Sequence, residues 1–338
     1  LRRRLFLTST LASLAAGLYG ANRASASDEA EPLRAAGLVR QGEVWLLPEE
    51  RKAREQIAAL PQLRDSIQLL QRDLDELVKQ NRQTYEIIKP IIESLEQAIG
   101  RLASNDPKRR TLEKQLAAER RKATPPEKFG GKSEVRSMIA RLSQQRINLT
   151  LQILSLRRIV PELIQKYADL AKDTSVAHAI EQLGRGNRLG PLRPLEPEMR
   201  KLGEFESVVL TPYVPIWLQS GHVRFTAIVD ERHPLTMTWN EYPGHGLLLT
   251  ASAAQALDVR PQPGAETRSL NFPKQRKVNA QRSTIASLRL GRWVAPDVPA
   301  WILAPEGEDL GSQLDSTALA SYTASCEPAA LRLTLSRD

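Results

Sequence analysis

Two runs of apolar residues at alternating steps of three and four constrain the chain more than any other feature. The first falls at 60, 63, 67, 70, 74 and 77, then at 88, 91, 95, 98 and 102. The second occupies 135, 138, 142, 149, 153, 156, 160, 163, 167 and 170. This heptad spacing places side chains in one stripe along a long helix, the pattern of a coiled-coil seam. Asn81 and Thr84 fill the first seam where its apolar series lapses, and Arg146 interrupts the second. Pro90 lies inside the first run and is expected to kink or break it, and Pro161 to bend the second. Ser104-Asn105-Asp106-Pro107 reads as a stop and restart, Thr124–Gly131 as a loop, and Ser133 as a cap for the following helix. Two long helices joined by a helix-and-turn segment predict an antiparallel hairpin over residues 50–173. Such an arm leaves apolar surface uncovered, which points to a homodimer.

At 338 residues the chain has room for a sizeable domain beside this arm. Aromatic residues make up only 5%, which suits much long amphipathic helix and little thick core. The formal charge is +9, but Arg2, Arg3, Arg4 and Arg23 fall in a leader-like stretch. The remaining basic clusters, KRR at 108–110 and ERRK at 119–122, read as solvated helix faces, so no nucleic-acid partner is expected. A single cysteine, Cys326, excludes an internal disulfide and a cysteine-rich zinc site. His178, His222, His233 and His245 show no metal-ligand spacing. The glycine-rich GRGNRLG at 184–190 lacks the Lys-Ser/Thr of a phosphate loop. No cofactor and no metal are therefore expected.

Residues 1–26 combine a basic start, a modest apolar run over 5–19 and an Ala24-Ser25-Ala26 end, the outline of a signal peptide. Arg3-Arg4-Leu5-Phe6-Leu7 also resembles a twin-arginine export address. Export to the periplasm or cell envelope is expected, with membrane association if the leader stays uncleaved. Residues 27–49 read as a linker, and so do 174–206, where Pro191, Pro194 and Pro197 are expected to stiffen the chain.

From Ser207 the apolar period changes to two. Val208–Leu210, Val214–Leu218, Val223–Val229 and Leu235–Trp239 read as short strands, with Asp230–Pro234 as a hairpin turn. Leu247–Leu249 is another strand and Ala251–Leu257 a short helix. Further strands are expected at Thr284–Leu290, Ala300–Leu303 and Leu331–Leu335.

Several stretches, in order, resemble the retropepsin-like aspartic protease family. Ala253–Val259 resembles the family's A-x-x-L-G-L helix, and Thr284–Gly291 its L-x-S-L-x-V-G strand. Val298–Pro305 resembles V-x-V-x-V-L-P, Gln313–Tyr322 resembles L-L-G-M-D-F-L-x-x-F, and Leu331–Leu335 resembles the final strand. The resemblance implies an all-β acid-protease lobe over 207–338, following the all-α antiparallel coiled-coil arm. Counting back from Val259 puts the family's catalytic Asp at Glu241, or at Asn240 with one inserted residue. The Asp-Thr/Ser-Gly triplet is absent. Asn240 cannot ionise, Glu241 is one methylene longer, and Tyr242 or Pro243 stands at the family's glycine. The family's second signature, two apolar residues and Gly, reads Gln313-Leu314-Asp315. Aspartic proteolysis needs two carboxylates sharing a proton. The expectation is a non-catalytic, exported pseudoprotease that binds an extended peptide or an envelope protein. The alternative is an active endopeptidase using a Glu241 dyad in a homodimer.

Overall fold

The computed structural model describes residues 30–122, 124–240, 244–272, 276–319 and 322–337. The leader expected at 1–26 lies outside them. The chain divides into two units. One takes residues as far as Pro48 together with Ile164–Arg193; the other takes Glu49–Leu163 and Pro194–Asp338.

The smaller unit starts with α1 (Glu31–Ala35) and the hairpin β1 (Val39–Gln41) and β2 (Val44–Leu46). Then α2 (Pro48–Gly100), α3 (Pro107–Lys122) and α4 (Ser133–Leu170) follow. The end of α4, α5 (Thr174–Gln182) and β3 (Arg188–Leu189) complete the smaller unit. β2 is the centre of its sheet, antiparallel to β1 and parallel to β3. Leu33, Trp45, Leu46 and Val176 are buried here, and the Leu47 amide donates to the Tyr167 hydroxyl at 2.8 Å. The 27–49 stretch is thus folded from residue 30 onward, which corrects its reading as a linker. Its three-residue strands gain their partner, β3, only from a segment far along the chain, and no local pattern announces that.

The second expected linker, 174–206, is corrected too. It holds α5, β3 and most of α6 (Glu196–Val209). Pro197 falls in the first turn of α6, where a missing N–H costs nothing, so proline starts this helix and does not stiffen a coil. Leu202, Phe205 and Val209 form its buried face at helical spacing. That face carries the helix through Val208-Val209, where the β-branched pair had suggested a strand.

In the larger unit α2 runs unbroken through Pro61 and Pro90. Each proline removes one donor, a local loss in a helix whose neighbouring bonds persist on both sides. Leu60, Ile67, Leu70, Leu74 and Ile88 are buried as the heptads predict. Beyond Pro90, Ile91 is exposed and Ile99 is buried. A straight helix at 3.6 residues per turn drifts away from a 3.5 repeat. In α4 the series Val135, Leu142, Leu149, Ile153, Leu156, Val160 and Leu163 is buried, and so is Arg146. Leu74 and Leu142 line one groove, while Asn81 bonds the backbone of Thr124 ahead of α4, so α2 and α4 run antiparallel.

The helices are joined to the β region through α6. Arg157 of α4 makes a bidentate pair with Glu206 (2.8 Å each), and Arg54 of α2 meets Glu198 at 2.8 Å. The Arg64 guanidinium lies over the Phe205 ring. Gly130, between α3 and α4, packs so closely on Leu331 and Leu218 that an added Cβ would come 2.7 Å from the Leu331 side chain.

The β region comprises β4 (Tyr213–Pro215), β5 (Trp217–Gln219), β6 (His222–Val229), β7 (His233–Trp239) and β8 (Leu247–Leu249), then α7 (Ala251–Ala256). It continues with β9 (Thr267–Phe272), β10 (Arg276–Leu290), β11 (Trp293–Leu303), β12 (Gln313–Leu314), β13 (Tyr322–Glu327) and β14 (Arg332–Arg337). The main sheet has the order β5-β6-β7-β12-β8-β11-β10-β9, and a β6–β10 pairing closes its middle into a ring. Two pairings are parallel, β12 with β7 and β11 with β8. A smaller sheet, β13-β14-β4, packs its inward side chains into the same core. Phe225, Met237, Leu247, Leu249, Ala300, Leu314 and Leu333 are fully buried there, at the alternate positions a period of two predicts. The chain is therefore a helical region followed by a β region. Among the described residues no helix is long and apolar enough to cross a membrane.

Candidate functional site

The β6–β7 hairpin turns at Asp230 and Glu231, both in the left-handed region (φ 50° and 55°). The Asp230 carboxylate accepts the Ser287 amide at 2.8 Å, and its own amide donates to the Ser287 carbonyl. Asp230 is therefore a turn residue tied to β10, as its place in the sequence suggested.

β7 ends at Trp239 and β8 begins at Leu247. The two-residue strand β12 lies between them, parallel to one and antiparallel to the other. The described residues of the connecting segment, Asn240 and Gly244–Gly246, arch over the end of β12. Asp315, the residue directly after β12, sits under that arch and is 1% exposed. One carboxylate oxygen, Oδ2, accepts three consecutive amides: Gly244 at 3.0 Å, His245 at 2.9 Å and Gly246 at 2.9 Å. Consecutive N–H groups converge on one anion only where the backbone curls into a nest. Gly244 (φ 134°) and Gly246 (φ 69°) supply that curl without a Cβ penalty. The other oxygen, Oδ1, accepts the Thr317 amide at 2.8 Å and the Thr317 hydroxyl, capping the short helix Ser316–Leu319. The Asp315 amide returns a bond to the Gly246 carbonyl at 3.1 Å.

Burial alone pushes the Asp315 carboxyl up. The hydrogen bonds from Thr317, His245 and Gly246 outweigh it and hold the group below the usual carboxylate range. A carboxylate has about four lone-pair positions. Here five protein donors converge on them, leaving none for a substrate proton or an attacking water. Asp315 is an ionised structural anion, unsuited to acid–base chemistry.

Of the sequence-predicted site residues, Asn240 lies at the start of this arch. Its amide donates to Leu314 O at 2.9 Å and its side chain to Gln313 Oε1 at 3.4 Å. Asn240 is thereby pinned to β12. Glu241, with Tyr242 and Pro243, lies outside the described residues. The His245 ring is 5.5 Å from that of Phe272, and its Nε2 lies 3.3 Å from the Asn271 carbonyl oxygen, so the arch also leans on β9.

Asp315 escaped the sequence reading as an organiser, being noted only as a departure from a glycine. The signals for it were Gly-His-Gly in the loop and Asp-x-Thr after an apolar residue. Their meeting depends on β12 inserting between β7 and β8. Elsewhere, the Ser252 hydroxyl at the start of α7 is held by the Glu308 carboxylate, and this bond lowers the Glu308 carboxyl from its ordinary value. Among the described residues no group of three or more His, Cys, Asp or Glu is placed to hold a metal ion. The chain matches no protein-family model, no curated protein and no solved structure.

Proposed function

We propose that the β region is a degenerate retropepsin-like lobe that binds protein or peptide without cleaving it. In this reading the helices form a coiled-coil arm that joins two copies, and the protein acts as an exported envelope scaffold. The observation that carries the reading is the saturated Asp315 carboxylate beneath an arch that begins with a non-ionising Asn240. The loop donors that an acid protease would leave near its reacting carboxylates are here turned onto a buried structural anion. The ring of strands is compatible with such a lobe, and β5 and β9 end the main sheet as edges onto which an extended peptide can add.

The test is incubation of the full chain with unfolded casein at acid and neutral pH, beside a Glu241→Ala variant. We expect no cleavage by either and retained self-association in both. Cleavage by the wild type that disappears in Glu241→Ala would instead establish an active Glu dyad.

A further inference from the structure

We propose that the cavity between α4 and the strand ring binds a single halide-class anion. The cavity measures about 40 Å³. Its polar lining comes from Ser143, Arg146 and Thr150 of α4, Thr226 of β6 and Arg289 of β10. A water needs roughly 10–15 Å³ of such space, so a monatomic ion with a water or two fits.

Two of the lining residues carry a polar group without a partner. Arg289 is 9% exposed, and among the described residues its Nε–H has no acceptor. Ser143 is 6% exposed, and its hydroxyl has no partner either. Buried donors left unpaired are costly, and two of them around one space ask for an acceptor there. The Thr150 hydroxyl donates to the Arg146 carbonyl at 2.8 Å and so turns its proton away.

Charge separates an anion from a plain water. Both guanidiniums lining the space are buried, and no carboxylate lines it. Arg289 pairs with Glu231 at 2.6 Å, but the Glu231 side chain is 46% exposed, where solvent screens the pair. Arg146 donates to Val209 O (3.2 Å) and to the Thr211 hydroxyl (2.5 Å), so the C-terminal end of α6 offsets part of its charge. No carboxylate pairs with it among the described residues. Burial accordingly lowers the Arg146 guanidinium from its ordinary value. A water would satisfy the donors and leave the cationic excess; a halide answers both. Bound there, it would tie the middle of α4 to β10.

Crystals of the full chain grown without halide and soaked in bromide test this directly. We expect an anomalous peak within hydrogen-bond reach of Arg289 Nε and Ser143 Oγ. Water there, with bromide only at the surface, would overturn the proposal. In solution, Tm is followed as chloride replaces gluconate at constant ionic strength. A saturable rise is expected in the wild type. In Ser143→Ala the rise should need roughly five- to tenfold more chloride, the loss of one hydrogen bond. In Arg289→Gln it should vanish. Equal rises in the wild type and Ser143→Ala, or no rise at all, would overturn the proposal. Ser143→Ala removes a single hydroxyl, so the test stands even if Arg289→Gln fails to fold.

Discussion

Asp315 and Arg146 are both buried charges in the larger unit, 1% and 7% exposed, and they are served very differently. Asp315 receives five donors, four of them from the Gly244–Gly246 and Thr317 backbone. Arg146 finds one carbonyl, one hydroxyl and the face of Tyr213 at 5.4 Å. Both groups are lowered from their ordinary values, and the same direction means opposite things. For an acid, lowering means the charged form is favoured. For a base it means the charged form is disfavoured. A curled backbone can supply several donors to a buried anion. The carbonyls around a cation in a helix interior are already engaged in the helix, so a buried arginine on α4 depends on whatever the neighbouring segment offers.

The largest expected effect comes from Asp315→Asn. An amide placed under three N–H groups loses acceptors and sets donor against donor, so unfolding in urea should show a loss of about 3 kcal/mol. A variant within ~0.5 kcal/mol of wild type would break the contrast, because Asp315 would then not be what holds the arch.

The pH dependence sharpens the same point. The folded Asp315 carboxyl is lowered, so its stabilisation is fully present above the unfolded value of about 3.9. It is lost as pH falls from there through the lower folded value. Urea melts between about pH 2 and 6 should show the gap between wild type and Asp315→Asn narrowing toward the acid end. A gap constant with pH would mean that shape, and not charge, carries the effect.

Arg146→Met should cost less, about 1 kcal/mol in chloride-free buffer, because an apolar side chain of similar length removes a poorly served cation; Val209 O loses its donor, while the Thr211 hydroxyl keeps its bond to Tyr213 O. A loss matching that of Asp315→Asn would show that Arg146 is served as well as Asp315. The smallest change is expected for Arg157→Ala. It breaks the half-exposed pair between α4 and α6, and denaturation should shift by about 0.5 kcal/mol or less. This variant controls for the α4–α6 charges in general.

The buried stripe of α4 was legible almost residue by residue, Arg146 included, because a helix repeats its exposed and buried faces locally. The strands β6, β7 and β8, the turn at Asp230 and the helix α7 were legible through their period of two and their turn residues. The stretches read as linkers were not. α6 earns its place by packing Phe205 and Val209 against distant helices, and β2 by pairing with β3. Past Pro90 the expected Ile91 is exposed and the unexpected Ile99 is buried, while Leu95, Ala98 and Leu102 stay half-buried at their expected places. Asn240 was singled out by counting along the chain, whereas Asp315, which lies near it in space, comes from another segment.

By itself, then, the sequence determined the local periods: where long helices run, where strands alternate, and that position 240 carries no ionisable group. Only the tertiary structure decided what those elements meet. It slid β12 between β7 and β8, put Asp315 under three amides of a loop seventy residues earlier, and left Arg146 and Arg289 around one small cavity. The reason is the range of the forces involved. Backbone propensity and side-chain period act within a few residues, while burying a charge is settled by whichever donors and acceptors the completed fold brings within about 3 Å.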